Sequence, residues 1–237
     1  MEPVVWLDAE FLQWESEVDS CYSVEAEPVR KHHAILRHAE SLLHASATEY
    51  DLSSSIFQLN RVVDFRDKHL NDCYRFRKIP GFAKSNQSDI MEEMGIVKPL
   101  MRKKLDGLRN RVMHIANEPV PTLEVCLELS EFVWYYLRAT DHMALSTAIE
   151  VVFRRGGAGT DEDVGVVICD VAPKSWIISV RGILKVGALT ETKGENSFGV
   201  LLDSEVRRGD GREHFSGQML PDGEFWRRFG RAYFGAV

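Results

Sequence analysis

Apolar residues recur at helical spacing through most of the first 145 positions. Val29, Leu36, Ala39, Leu43 and Ala47 step by seven, three, four and four, which puts them on one helix face, and Pro28 suits its first turn. Ile56, Leu59, Val63, Leu70 and Tyr74 mark the buried face of a second helix over about 53–74. Ser53 or Ser54 would cap it, and Pro80-Gly81 lies beyond its end. A third helical region covers about 88–115 and restarts at Pro99. Beyond that proline Met101, Leu105, Leu108, Val112 and Ile115 keep the period until Pro119 and Pro121 close the segment. A fourth helix, from Thr122 to about Ala144, is apolar almost all round, through Leu123, Cys126, Leu127, Phe132, Val133, Trp134 and Leu137. That pattern predicts a central, buried helix. Helices of this kind joined by short connections predict a bundle.

After about Thr147 the period changes. IEVVFRR, VGVVICDV, SWIISVRGILKVGAL and FGVLLDSEV read as strands, and GGAGTDED, ETKGEN and RGDGRE between them are turn chemistry. Residues 222–234 suit a short helix with Phe225, Phe229 and Tyr233 on one face, docking on the strands. The predicted fold class is α+β: an all-α N-terminal domain over 1–146, its first ~50 residues an extension or extra helix, then a small β-rich accessory domain over 147–237. The glycines of Gly156–Thr160 are followed by no GK[ST], so they predict a hairpin turn and not a phosphate loop.

Composition narrows the class. The chain has 237 residues, 44% hydrophobic and 27% charged, enough to bury a core without disulfides. Cys21, Cys73, Cys126 and Cys169 are scattered, with no CxxC pair, so free buried thiols and no zinc site are expected. The acidic N-terminus has no basic stretch or long apolar run, which predicts no signal peptide, no membrane partner and a cytoplasmic setting. The formal charge of −7 would argue against nucleic acid, but it is unevenly spread. Residues 1–60 hold 3 bases and 11 acids, residues 61–114 hold 13 bases and 7 acids, and residues 115–237 hold 13 bases and 18 acids. The segment of 61–114 is therefore a local basic region on an acidic body.

One pattern in that region carries chemistry: Arg109-Asn110-Arg111-Val112-Met113-His114, or R-N-x-x-x-H, at the end of a basic amphipathic helix. Histidine titrates near neutral pH and can move a proton. Arginine offers a permanently charged fork that fits phosphate oxygens. Asparagine can hold the histidine or bond the phosphate.

The motif and the surrounding helices over about 50–144 resemble the HEPN superfamily, helical bundles marked by R-x(4–6)-H with a polar residue after the arginine. Arg109, Asn110 and His114 match those three places. The resemblance implies a metal-independent endoribonuclease that needs no cofactor and cuts RNA by attack of its own 2′-hydroxyl, in a toxin–antitoxin or antiphage setting. It also implies a homodimer. On a regular helix Arg109 and His114 stand about 140° apart, so a second copy would complete a composite site. The alternative is a non-catalytic RNA-binding or assembly module. Arg102, Lys103, Lys104, Arg111, Arg75 and Arg77 are candidate RNA contacts, with Phe76 interleaved for stacking. A protein antitoxin or regulatory partner is a further expectation. Asp64, Asp67 and Asp72 lie on the preceding helix, within reach of the motif helix, with solvated charge as their default reading. His32, His33, His38 and His44 share a helix at spacings that do not favour a metal.

Overall fold

The structure, a computed structural model, describes residues 3–114, 121–156, 165–220 and 223–236. It opens on strands, not on a helix. Strand β1 (Val4–Asp8) leads through a 3₁₀ turn (Ala9–Gln13) into β2 (Glu15–Ser23). Helices α1 (Glu27–Ser41), α2 (Glu49–Tyr74), α3 (Gln87–Glu93), α4 (Pro99–His114) and α5 (Leu123–Leu145) follow. Then come β3 (Ser146–Arg155), β4 (Gly165–Ala172), β5 (Ile177–Lys185), β6 (Leu189–Thr190), β7 (Ser197–Leu202), β8 (Arg207–Gly209), β9 (Arg212–Met219) and the C-terminal α6 (Gly223–Ala236).

The predicted fold class is overturned. A nine-stranded antiparallel sheet in the order β2-β3-β4-β5-β9-β7-β1-β6, with β8 on β9, dominates the C-terminal half. The six helices described do not form a clear N-terminal HEPN bundle. The first residues of the chain belong to the sheet: β2 pairs along β3 from Glu15 opposite Arg154 to Ser23 opposite Ser146, and β1 lies between β7 and β6. The physical reason is edge placement. β2 is largely exposed, so its polar sequence shows no alternation of apolar residues to reveal it. β9 was hidden differently, because its inward positions include Glu213 and Gly217 beside Phe215 and Met219. The segment 157–164, which holds most of the predicted glycine turn, lies outside the described residues.

The sheet is strongly curled. The 3₁₀ turn crosses from near one edge to the other, and Phe11 on it meets both Phe153 of β3, at 5.1 Å between rings, and Phe198 of β7, at 5.6 Å. A side chain at Gly217 would place a β-carbon 2.2 Å from the Leu201 carbonyl oxygen, so this close strand approach needs glycine.

Helix α6 fills the concave face and ties the sheet to the helices. Phe225 stacks on Phe198 at 4.1 Å, Phe229 faces Phe153 and Trp226 meets Trp176 edge-on. Phe234 packs on Tyr74 and Phe76, from the end of α2 and the turn after it. Arg227 pairs with Glu93 of α3 at 2.8 Å.

The helical layer carries its own polar knot. The fully buried Arg66 of α2 donates Nε–H to His32 Nδ1 at 3.1 Å, Nη1 to Thr140 Oγ1 at 3.0 Å and Nη2 to Asp141 Oδ1 at 2.8 Å. His33 reaches the same carboxylate at 2.9 Å. Burial, then the Arg66 charge, push the His32 imidazole down to about 4, so it stays neutral and accepts from Arg66. Among the described residues no helix is long and apolar enough to cross a membrane.

Two outcomes follow. Phe229→Ala, at a fully buried position, should cost about 3–5 kcal/mol in denaturant unfolding. It should lower helical and aromatic signals in one transition, because α6 serves both layers. His32 is neutral in the fold but protonates near 6.5 in the unfolded chain. Its contribution is therefore present above pH 6.5 and lost as pH falls toward about 4. The loss is about 3 kcal/mol, and His32→Gln should flatten that part of a melting-temperature against pH profile.

Candidate nucleic-acid interface

Helix α4 begins on Pro99 and stays helical to His114, so the whole motif sits on its last turns. It runs antiparallel to α2. Asn60 Nδ2 donates to Asp106 at 2.8 Å, and Arg102 Nη2 donates to Asp64 at 3.0 Å. These contacts set the register: 57, 60, 64 and 67 form one stripe of α2 that faces 102, 106 and 109 of α4.

Arg102 is the pin of this seam. It engages Asp64, Asp67 and Asp106 together, and Tyr136 of α5 donates its hydroxyl to Asp67. Burial disfavours the Arg102 charge, but Asp67, Asp106 and Asp64 outweigh it and hold the guanidinium cationic. Burial pushes the Asp67 carboxyl above its ordinary range, against the pull of Arg102. The side chain named from the sequence as an RNA contact is thus turned inward as a structural cation. Lys104 is likewise engaged, with Glu128 of α5 at 2.6 Å.

One step further along α4 the arrangement changes. Arg109 is half-buried, and its Nη1 donates to Asn110 Oδ1 at 3.3 Å. It forms no ion pair among the described residues, and its buried Nε has no hydrogen-bond partner. Its charge is felt at the Asp64 carboxyl, which burial raises first and Arg102 and Arg109 lower. Asn110, Arg111 and Lys103 are exposed. The side chain of His114 lies outside the described residues. Phe57, 40% exposed, continues the α2 stripe one turn beyond Asn60, at the level of Arg109.

Arg75 and Arg77 are not brought to this place. Arg75 ends α2 in a left-handed conformation, 4.0 Å from Asp72, and Arg77 lies in the following 3₁₀ turn. Eighteen steps of helical rise from Phe57 to Arg75 separate them from the motif by about 27 Å. Phe76 is fully buried against Tyr74 and Phe234, so it offers no stacking plane.

The sequence missed Phe57, because one exposed aromatic leaves no periodic signal. It named Asp64 without showing that Asp64 stands between the two arginines. The four histidines do not share a helix: α1 ends at Ser41, so His44 lies beyond it in a local contact with Ser46, while His32 and His33 join the Arg66 knot. Among the described residues no three His, Cys, Asp or Glu side chains are grouped to hold a metal ion.

Unfolding measurements should separate the two neighbouring cations. Arg102→Gln leaves the largely buried Asp67 without its cation and should cost about 3 kcal/mol. Lys103→Gln on the exposed face should stay within about 0.5 kcal/mol of wild type. Compared with known proteins, the chain matches no family model, no curated protein and no solved structure.

Proposed function

We propose that the chain is a metal-independent endoribonuclease acting at the C-terminal end of α4. The observation that carries this reading is the state of Arg109: a cation oriented by Asn110 and engaged in no ion pair among the described residues, next to an arginine that is fully engaged. In the proposed step a ribose 2′-oxygen attacks the adjacent phosphorus and the bond to the 5′-oxygen breaks. The products are a 2′,3′-cyclic phosphate and a free 5′-hydroxyl. His114 moves the proton off the 2′-hydroxyl or onto the leaving oxygen. Arg109 neutralises the charge gathering on the phosphate oxygens, with Asn110 fixing its fork. Phe57 offers an exposed ring to a neighbouring base.

The regular helix through His114 supports a two-copy site. Positions 109 and 114 lie about 140° apart around a regular helix, the spacing from which a composite site is inferred. A second α4 across a two-fold axis supplies the missing group. A cytoplasmic toxin–antitoxin or antiphage role is the setting that goes with this reading. The engagement of Arg102 and Lys104 in structural ion pairs leaves a second reading, a module that retains RNA without cutting it.

The test is cleavage of a labelled single-stranded RNA by the purified full chain in excess EDTA. Wild type should release 2′,3′-cyclic phosphate ends, with activity per protomer rising as protein concentration drives dimer formation. His114→Ala and Arg109→Ala should each lose on the order of 10²-fold or more, and a 2′-deoxy substitution at the cut site should block the reaction. Cleavage abolished by EDTA, or unmoved by His114→Ala, overturns the proposal. Arg109-dependent retention without cleavage assigns the second reading.

A further inference from the structure

A different face of the helical layer carries a second surface. Helices α1 and α5 run antiparallel: His33 meets Asp141 at one level, and Ser130 Oγ donates to Glu40 Oε1 at 3.5 Å at another. Between them lies a groove of about 370 Å³, lined by Glu40, Leu43, Leu127, Ser130, Glu131 and Trp134.

Its apolar residues are unusually open for a helical face. Leu127 is 49% exposed and Trp134 40%. The Trp134 ring is held in place, with Tyr135 edge-on at 5.0 Å and the Arg138 guanidinium 5.4 Å from its centroid. A fixed tryptophan in a concave apolar site with a polar rim is the usual make-up of an anchor point in a protein interface. The rim is acidic on both walls. Glu40 on α1 and Glu131 on α5 have no cationic partner among the described residues, and Glu124 continues the acidic edge of α5.

We propose that this groove receives an amphipathic helix of a partner protein. The apolar face of that helix enters between Leu43, Leu127 and Trp134, and its flanking lysines or arginines meet Glu40 and Glu131. A groove between two antiparallel helices accepts a third helix whose anchors recur at three, four and seven residues. Charge selects the occupant. A second copy related by a two-fold axis would set the same carboxylates against each other, and a nucleic acid would meet them with its phosphates. A cationic helix is the occupant that removes that repulsion. This surface is independent of the Arg109 site and stands whether or not the chain cleaves RNA.

The probe is a synthetic amphipathic helix of leucine and lysine, titrated calorimetrically into the full chain. A peptide of the same composition in scrambled order controls for charge alone. The ordered peptide should bind saturably and the scrambled one at least about tenfold more weakly. Trp134→Ala, and separately the pair Glu40→Gln with Glu131→Gln, should each weaken binding by about tenfold or more. Leu127→Lys, which fills the groove with a cation, should abolish it. All these positions are exposed, so circular dichroism and melting should match wild type. Equal binding of the two peptides, or affinity unmoved by the substitutions, overturns the proposal. So does sedimentation showing a dimer that Trp134→Ala dissolves, since a second copy would then occupy the groove.

Discussion

The aromatic face of α6 is the contact on which both layers of the molecule depend. A curled sheet has a concave side that must be filled, and a helical layer packed beside it has a flank that must be closed. Phe225, Trp226, Phe229, Tyr233 and Phe234 do both from one fourteen-residue helix. A polar contact ties it to the sheet, Tyr233 donating to the Ala148 carbonyl at 2.6 Å, and beside it Trp176 of the sheet region donates to the Tyr74 carbonyl at the end of α2 at 2.6 Å. Gly230 lets the helix settle on Met94, where a β-carbon would stand 2.1 Å from the sulfur. The two textures seen along the chain therefore share one core, and the boundary near 146, where α5 passes directly into β3, is not a gap between cores.

The candidate interface inherits its geometry from the ion-paired seam that precedes it on α4. Arg102 holds three carboxylates, of which Asp67 is largely shielded from water, so removing it would cost far more than removing a surface lysine. That pin fixes where α4 sits against α2. The next position on the same stripe, Arg109, is therefore presented in a set place with its own charge still available. The contrast between two arginines seven residues apart on one helix rests on neighbours contributed by α2 and α5, not on anything local to either residue.

Much of the helical part was legible because its elements have a buried face. The stripe Leu105, Leu108 marks α4, and Phe225, Phe229, Tyr233 mark α6, because a helix that buries one side must repeat every three or four residues. β2 was not legible, because an exposed edge strand buries too little to impose a pattern. β9 was not, because its buried set includes a glutamate, satisfied by Arg208 at 2.9 Å and by the Leu189 N–H at 3.2 Å. At the candidate interface the residue types and spacing of Arg109 and Asn110 could be read directly. The inward turn of Arg102 could not, since its partners lie 35 and 38 positions earlier and an arginine's burial is decided by what meets it.

The same limit applies to charge. The excess of bases over 61–114 locates a region but does not measure a surface, because Arg66, Arg102 and Lys104 are neutralised within the fold. What remains for a polyanion is smaller than the count suggests, so only a few phosphates could be met at the end of α4 at once. Binding through so few contacts has a shallow dependence on salt, since each neutralised phosphate releases about one counterion. An acidic body around a small cationic site then discourages a long nucleic acid from lying across the molecule. On the proposed function, such a surface would suit a short, accessible stretch of strand better than the coating of a duplex.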